Sequence, residues 1–359
     1  MFSDNQKSIF KGRKIKVEIF GASHSPEIGT KVSGLEGCSF DRTLLQDFLD
    51  RRKPKRESYS TPRKETDQVI FNCGLEEEKI VGEIEAVIKN NNQHSKDYEK
   101  TFLKPRPSHA DYVGYKKYGE GFDYRGGGKF SGRLTAPMCI AGGICKQILE
   151  QKGIKISAFI SSIGKEKLTN YNQINQELFD GSMINKDFPV LTVEDQSKAK
   201  AEIEKARKDL DSVGGTIDCV ILGVPVGAGE YMFDSIESVI SSLAFAVPAV
   251  KGIEFGTGFD ITKMSGFDAN DNFYYENDKV KTKTNHNGGI NGGIANGMPI
   301  TFRVAIKPTP SIGKEQDTVD LREKCNTKIK IEGRHDACIV PRAVPVIEAI
   351  SAIAIYDLI

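Results

Sequence analysis

The segment IKVEIFGASHS, residues 15–25, carries the clearest structural signal in the chain. From Ile15 to Phe20 apolar side chains occupy alternate positions, and this period of two predicts a β-strand. The strand runs directly into a short polar turn, Gly21–Ser25, which contains His24. Because loops held by rigid elements carry most binding and catalytic groups, this turn is a first candidate for a functional site.

Two kinds of apolar period recur along the rest of the chain. Where apolar residues alternate we predict strands, and where they recur every three or four positions we predict helices. Because the strands are not regularly followed by helices, a doubly wound parallel sheet is disfavoured, and an α+β architecture with antiparallel sheets is favoured. The predicted strands cover residues 80–88, 216–222 and 300–306. Two predicted helices cover residues 136–150 and 196–212. Two further helices are predicted to begin at Asp41 and near Pro341.

The ends of two helices are predicted in more detail. In the helix that begins at Asp41, Leu44 is predicted to belong to the apolar face. The cations of residues 51–53 are predicted to form the last turn of this helix, and Pro54 to end the helix. The helix over 196–212 is expected to end at the glycine pair 214–215.

The composition restricts the class of protein. The chain has 359 residues, with 50 Lys and Arg against 49 Asp and Glu, and a net charge of +1. This balance argues against a protein that coats nucleic acid, because such binding needs many cationic contacts. Apolar residues make up 38% of the chain, which is enough for a sizeable core and excludes wholesale disorder.

The cysteines and apolar stretches predict the compartment. Residues 343–359 are interrupted by Pro345, Glu348 and Asp357 and are too short to span a membrane, and the N-terminus lacks a signal-type apolar run. The seven cysteines form no CxxC pair and no cluster that could hold zinc. A soluble, cytoplasmic protein without a metal site is therefore expected. The cysteines are Cys38, Cys73, Cys139, Cys145, Cys219, Cys325 and Cys338.

Histidine is placed unusually in this chain. Of the five histidines, His94 lies in a polar stretch typical of a surface. The other four lie in short segments punctuated by Gly, Pro or Ser, where binding groups are often found. A surface position is the ordinary alternative for any one of them. They are His24, His109, His286 and His335.

Glycines and cations add to this pattern. The segment RGGGKFSGR, residues 125–133, fails the Walker pattern, because Phe130 follows Lys129 and Asp123 occupies the first glycine position. Its backbone, which carries few side chains, could still hold an anion or lie against a planar ring. The alternative is that these glycines only form tight turns. Cations near the polar turns indicate a phosphate or carboxylate ligand, with surface salt bridges as the alternative. They are Arg51, Arg52, Arg106, Arg125, Arg133, Lys307, Arg334 and Arg342.

Six motifs, in this order and spacing, resemble the chorismate synthase family. The resemblance runs from about Lys14 to Ile359 and implies a single domain over 1–359. The motifs are GASHS (21–25), RPSHADY (106–112), YRGGGKFSGR (124–133), NHNGGINGGIANGMPI (285–300), KPTPS (307–311) and GRHDACIVPRAVPV (333–346).

The resemblance implies both a fold and a reaction. The fold is a β-α-β sandwich with helices between two antiparallel sheets, assembled as a homotetramer. The reaction is a 1,4-elimination that converts 5-enolpyruvylshikimate 3-phosphate to chorismate and phosphate, in the shikimate pathway of aromatic amino acid biosynthesis. It requires reduced FMN although it is redox-neutral overall. The chain length suggests an external source of reduced flavin rather than reduction by its own NADPH (NADP) site.

The resemblance also implies residue roles. His24 is expected to act as the acid that assists phosphate departure, His109 to manage protonation of the flavin, and Asp336 to handle protons near it. The residues expected to bind substrate are Ser23, Arg52, Arg133 and Arg334. Those expected to bind the cofactor are Arg106, Lys129, Phe130, Ser131, Pro248, Ala249, Gly292, Lys307, Pro308, Thr309, Pro310, Ser311 and Arg334.

The chain departs from the family pattern at five positions. Ala22 and Ser25 replace a Glu and a Gly, Ser108 replaces a Gly, Leu134 replaces a Glu, and Ser58 aligns with an Arg. These changes bear on contacts to substrate and nicotinamide, and they leave both candidate histidines in place. A weakly active paralogue, a nucleotide-dependent phosphotransferase and a non-catalytic anion-binding scaffold are the alternative interpretations.

Overall fold

A computed structural model describes residues 7–53, 67–90, 103–185, 187–331 and 336–359. Its regular elements follow one another as strands and helices without a regular β-α repeat. The strands are β1 Lys7–Lys11, β2 Lys16–Gly21, β3 Glu27–Ser33, β4 Ile70–Glu76, β5 Lys79–Lys89, β6 Lys155–Ile163, β7 Glu166–Lys167, β8 Gly215–Leu222, β9 Val250–Phe255, β10 Phe273–Glu276, β11 Lys279–Thr282, β12 Ile290–Asn291, β13 Ile294–Ala295, β14 Ile300–Ile306, β15 Gln316–Asp320 and β16 Cys325–Ile329. The helices are α1 Arg42–Asp50, α2 Asp111–Tyr118, α3 Thr135–Gln151, α4 Val193–Lys208, α5 Ile236–Ala246, α6 Gly266–Ala269 and α7 Val340–Leu358.

Two five-stranded antiparallel sheets form the outer layers. The first has the strand order β1-β2-β3-β5-β4, and the second has the order β7-β6-β8-β14-β9. Three separate hairpins pair β10 with β11, β12 with β13, and β15 with β16. The strands predicted from alternation over 15–20, 80–88, 216–222 and 300–306 are confirmed as β2, β5, β8 and β14.

Helices α3 and α7 lie between the two sheets and pack on each other. Helix α3 contacts β3 and β5 of the first sheet, and helix α7 contacts β6 and β8 of the second. One continuous hydrophobic core includes residues from both helices and both sheets. The predicted α+β sandwich is therefore confirmed, as are the helices predicted over 136–150 and from about Pro341.

Small residues let α3 and α7 approach closely, and they pack in parallel. A β-carbon added at Gly142 would lie 2.4 Å from backbone atoms of Ala349. One turn earlier, the Sγ of Cys139 lies 3.9 Å from the carbonyl oxygen of Pro345. Because the contact advances along both helices together, their N-terminal ends lie at the same end of the molecule.

Helix α1 confirms the predicted cap and corrects two details. The Asp41 side chain accepts from the backbone of Thr43 and Leu44, as an N-cap does. The prediction that Leu44 faces the core is wrong, since it is 57% exposed. The helix ends at Asp50, so residues 51–53 follow the helix instead of forming its last turn. Pro54 lies outside the described residues.

Helix α4 ends earlier than the sequence predicted. Leu210 adopts a left-handed conformation with φ 55°. The backbone N–H of Asp211 donates to the carbonyl of Ala206 at 2.9 Å, and that of Leu210 donates to Arg207 at 3.1 Å. This pair of bonds is the Schellman motif, which closes a helix C-terminus. The predicted end at the glycine pair is therefore wrong, and Gly215 begins β8.

Within the described residues, no helix combines the length and apolarity needed to cross a bilayer.

Replacing Gly142 by Ala should destabilise the protein by about 1–3 kcal/mol, because the added methyl group overpacks the α3–α7 contact. Urea unfolding midpoints measure the effect. Gly82 is the control, since apart from its chain neighbours no atom of the described residues lies within 4 Å of a β-carbon added there. Equal midpoints for Gly142→Ala and Gly82→Ala would contradict the packing described.

Candidate active site

A turn of three glycines brings the two candidate histidines together. Gly126, Gly127 and Gly128 have φ values of 57°, 86° and 54°, a region that L-residues with side chains rarely adopt. A β-carbon added at Gly126 would lie 2.9 Å from the Nε2 of His24, and one added at Gly127 would lie 3.4 Å from the Nε2 of His109. The two imidazoles therefore lie beside adjacent residues of one turn.

The turn that carries His24 is fixed on both sides. The backbone N–H of Ser23 donates to the carbonyl of Gly128 at 3.1 Å. The Nδ2 of Asn90 donates to the carbonyl of Ser25 at 2.9 Å. The hydroxyl of Ser25, which replaces a family glycine, accepts from the backbone N–H of Ala22 at 2.8 Å. These bonds hold the His24 backbone against the glycine turn.

Asp123 adds a negative charge beside His24. Its carboxylate accepts two bonds from Arg125, at 2.8 and 2.9 Å. Burial alone would raise the pKa of Asp123, but the Arg125 guanidinium, with a smaller contribution from His24, holds it below its usual value. Arg125 is thus paired with this carboxylate in the structure.

His109 is oriented by a carboxylate and an arginine. Its Nδ1 lies 2.6 Å from the Oδ1 of Asp111. Arg106 donates to both oxygens of Asp111, at 2.7 and 2.8 Å, and its Nη2 lies 3.1 Å from the same Nδ1. Although burial acts to raise the pKa of Asp111, bonds from Arg106 and His109 hold it well below the usual range. The other ring nitrogen of His109 faces the glycine turn.

Asp111 was missed by the sequence analysis, although RPSHADY places it two residues after His109. A carboxylate that holds one imidazole nitrogen determines which nitrogen carries the proton.

The segment 307–311 joins the His109 side of the site. The Nζ of Lys307 donates to the carbonyl of Ser108 at 2.6 Å, and Arg106 donates to the hydroxyl of Ser311 at 3.0 Å. The backbone N–H of Lys307 donates to the carbonyl of Ala249, itself at φ 76°. Pro248, Pro308 and Pro310 are chain neighbours of these residues.

Asp67 lies between two of the candidate substrate arginines. One oxygen of its carboxylate accepts from Arg52 and the other accepts from Arg133. Arg133 also donates from Nε to the Oδ1 of Asn90 at 3.1 Å. Since Asn90 holds the His24 turn, the arginine pair and this turn belong to one connected network.

The N-terminal turn of α7 extends this network. Arg342 donates from Nε to the backbone carbonyl of Arg52 at 3.0 Å, and from Nη1 to the Oδ2 of Asp336 at 2.9 Å. The hydroxyl of Thr309 donates to the carbonyl of Asp336 at 2.8 Å. Asp336 and Thr309 are therefore linked to the arginine network.

The other residues of the glycine-rich segment have varied surroundings. The Oγ of Ser131 accepts from the Arg133 backbone at 3.3 Å. Lys129 lies over the ring of Tyr118, with its Nζ 3.3 Å from the centroid. Phe130 packs against Tyr118 and Phe122 at centroid distances of 6.4 and 5.9 Å. The anion-binding role predicted for the cations of this segment remains a prediction.

Six positions lie apart from this cluster or outside the described residues. Gly292 is in the exposed turn between β12 and β13, and among the described residues no atom lies within 4 Å of a β-carbon added there. Arg334, His335 and Ser58 lie outside the described residues, as does His94. His286 bonds to the Thr257 hydroxyl at 2.8 Å.

Two of the positions expected to depart from the family motifs have local consequences. Ser108, where glycine is expected, adopts φ 58°, a backbone conformation that glycine tolerates better. Leu134, where a glutamate is expected, packs against the hydrophobic core.

The arrangement suits proton transfer beside an anion. Imidazoles titrate near neutral pH and can donate or accept a proton. Guanidinium groups stabilise phosphate and carboxylate groups through forked hydrogen bonds. Two imidazoles and an arginine pair, joined through one turn and one asparagine, provide both functions in one place.

Comparisons with known proteins were made at the level of sequence and fold. A family model described as "Chorismate synthase" matches residues 15–359. A chorismate synthase of Dehalococcoides mccartyi is 40% identical over 351 residues, covering 97% of this chain and 95% of its own length. One from Korarchaeum cryptofilum is 42% identical over 350 residues, covering 96% of each chain. A crystal structure of a chorismate synthase, 23% identical, has the same fold with a TM-score of 0.71 and covers 97% of this chain and 92% of its own.

Replacing Asp111 by Asn should lower stability in a pH-dependent way. The folded pKa of Asp111 lies below its unfolded value of about 4, so its contribution is present above that value and is lost as the pH falls towards the folded pKa. The difference in free energy of unfolding from the wild type should be constant above about pH 5 and shrink below about pH 4. Urea titrations across this range measure it.

The control is Asp260→Asn. The ion pair between Asp260 and Lys263 is exposed and should contribute little to the free energy of unfolding. If the difference in free energy of unfolding between Asp111→Asn and the wild type stayed constant below about pH 4, the link between ionisation of Asp111 and stability would be contradicted.

Proposed function

The chain belongs to the chorismate synthase family, and on that basis we propose that the residues around the Gly126–Gly128 turn form its active site. The enzyme is a lyase that converts 5-enolpyruvylshikimate 3-phosphate to chorismate and phosphate, in the shikimate pathway. The observation that carries the site proposal is that His24 and His109 lie beside adjacent glycines.

In this proposal His24 protonates the departing phosphate. The elimination breaks the ring carbon–oxygen bond to phosphate and removes a ring proton, so negative charge develops on the leaving group. A proton donor and nearby guanidinium groups stabilise such charge. Arg133 and Arg52 are connected to the His24 turn through Asn90, which supports their role in binding substrate anions together with Ser23 and Arg334.

His109 and Asp336 complete the proton-handling groups. The Nδ1 of His109 faces the Asp111 carboxylate, which leaves Nε2 at the glycine turn for exchange of a proton. Asp336 is held by Arg342 at the N-terminal end of α7. These contacts support the role of both residues close to a bound cofactor.

The residues present fit a reduced FMN cofactor. Three consecutive glycines leave this turn without side chains, and a planar ring can lie against such bare backbone. Arg106, Lys307 and the hydroxyl of Ser311 supply donors suited to the charged part of a flavin nucleotide. When bound, reduced FMN would supply the electron density that the elimination needs.

The remaining cofactor-binding residues in the proposal follow from the resemblance to the family. They are Lys129, Phe130, Ser131, Pro248, Ala249, Gly292, Pro308, Thr309, Pro310 and Arg334.

Replacing either His24 or His109 by Ala should lower the turnover rate by about 10-fold to 10⁴-fold, because each removes a proton-transfer group. The assay is anaerobic, contains chemically reduced FMN and the phosphorylated substrate, and follows both chorismate and phosphate. Omission of reduced FMN should abolish turnover by the wild type.

His286→Ala is the matched control, since this loop histidine bonds to Thr257 instead of the glycine turn. Wild-type rates in both the His24 and His109 variants would remove the assignment. Product formation without any flavin would remove the cofactor proposal.

The proposal includes assembly as a homotetramer. Large apolar side chains are exposed along residues 231–275, where Phe233 is 91% exposed and Phe267 is 87% exposed. Exposed apolar groups concentrated in one stretch of chain are typical of surfaces that become buried on association. The others in this stretch are Tyr231, Met232, Phe245, Phe259, Phe273 and Tyr275.

The variant Phe233→Ser with Phe267→Ser should shift the protein to a smaller species in light scattering after size exclusion. Val193→Ser, at an exposed residue outside this stretch, is the control. A wild type that runs as a monomer at all concentrations would contradict assembly.

We also propose that the enzyme is cytoplasmic and consists of one domain. We propose that its flavin is reduced by a separate enzyme that uses NADPH. All seven cysteines are free thiols, which is typical of a reducing compartment. The core shared by both sheets supports a single domain.

A further inference from the structure

We infer that Asp67 is a positioning residue that orients the guanidinium groups of Arg52 and Arg133 for the anionic substrate. This inference rests on the proposed role of those arginines in substrate binding. None of the sequence motifs that led to the site includes Asp67.

The geometry places Asp67 between the two cations. Each oxygen of the carboxylate accepts from a different arginine. The side chains of Asp67, Arg52 and Arg133 are 1%, 3% and 10% exposed, so Arg133 is the one nearest to solvent. Charge-assisted bonds in a buried setting hold their partners in a narrow range of orientations.

The backbone of Asp67 is itself anchored to α1. Gln46 donates from Nε2 to the Asp67 carbonyl at 3.1 Å and accepts from the backbone N–H of Val69 at 3.2 Å. Arg52 follows directly after the end of the same helix. The carboxylate and one of its arginines are therefore attached to one rigid element.

The second arginine connects this anchor to the His24 turn. Arg133 bonds to Asn90, and Asn90 bonds to the carbonyl of Ser25. A shift of Arg133 would thus change the position of an anion relative to His24. The strength with which the anion is held therefore depends on the orientation of the Arg133 guanidinium.

Asp67 stays ionised throughout the neutral range. Burial would raise the pKa of Asp67, but the positive charges of Arg52 and Arg133 outweigh it and lower the pKa. The orienting charge is therefore constant over the pH range of an enzyme assay.

The variant Asp67→Asn removes the charge and keeps the shape of the side chain. Asp67 adopts φ 44°, and asparagine is among the few residues that tolerate this region. With the arginines no longer oriented, we expect KM for 5-enolpyruvylshikimate 3-phosphate to rise by about 10-fold to 100-fold, the usual contribution of charge-assisted hydrogen bonds to an anion. The turnover rate at saturating substrate should fall much less, because the substrate is then bound and His24 is intact.

Asp218→Asn is the matched control for loss of a buried ion pair. Asp218 is buried and accepts two bonds from Arg303, on β8 and β14 of the second sheet. This variant should lose stability in thermal unfolding and keep the wild-type KM. An equal rise of KM in both variants would show a purely structural effect and would overturn the inference.

Arg133→Ala, measured in parallel, distinguishes the positioning role of Asp67 from the proposed substrate-binding role of Arg133. If Arg133→Ala leaves KM unchanged, the substrate-binding assignment is wrong. If Arg133→Ala raises KM and Asp67→Asn keeps KM within about twofold of wild type, the assignment stands and the positioning role is wrong. If Asp67 acts through Arg133, the double variant should raise KM by less than the product of the single effects.

Gln46→Ala provides a second variant should Asp67→Asn not fold. It removes the two bonds that anchor the backbone around Asp67 and leaves every charge in place. We expect KM to rise by about 10-fold with little change in the turnover rate, because the anion is held less well. A wild-type KM in a folded Gln46→Ala protein would count against the inference.

Discussion

The close, parallel contact between α3 and α7 is the constraint on which the rest of the structure depends. Gly142 permits the approach to Ala349, and the helices run in the same direction from Cys139 and Pro345 onwards. Because they are parallel, their N-terminal ends lie together. The segment before α3 carries the glycine turn and Arg133, and the start of α7 carries Arg342. Both helix dipoles thus present their positive ends on the side of the cluster that would bind an anion.

Buried carboxylates organise the cations at this end. Asp67 holds Arg52 and Arg133, and Asp111 holds Arg106. Glu348 of α7 accepts two bonds of 2.7 Å from Arg51. Removing charged groups from water is costly, and a pair of this kind is weak evidence for stability. A guanidinium that is fixed by a carboxylate presents its remaining face in one direction.

Sequence patterns were most successful for the regular elements and least successful at their ends. Alternation located β2 and β14 because their apolar side chains face a core on one side. The end of α4 was misplaced because Leu210, a residue with no special preference for left-handed backbone, closes it. The exposed Leu44 was misassigned because a period of 3.6 residues leaves the edge of an apolar face ambiguous over nine residues.

The sequence by itself determined the α+β class, the family and the histidines to examine, since these follow from local periods and from motifs that are contiguous in the chain. Only the tertiary structure showed that His24 and His109 lie beside neighbouring glycines, although 85 residues separate them in the sequence. It also identified Asp67, Asn90 and Asp111 as the groups that hold the site together. The bonds of Asp67 and Asn90 join segments that are distant in the sequence, whereas those of Asp111 are local, to Arg106 and His109. Local patterns in the sequence do not show which residues from distant segments lie close together in the folded chain.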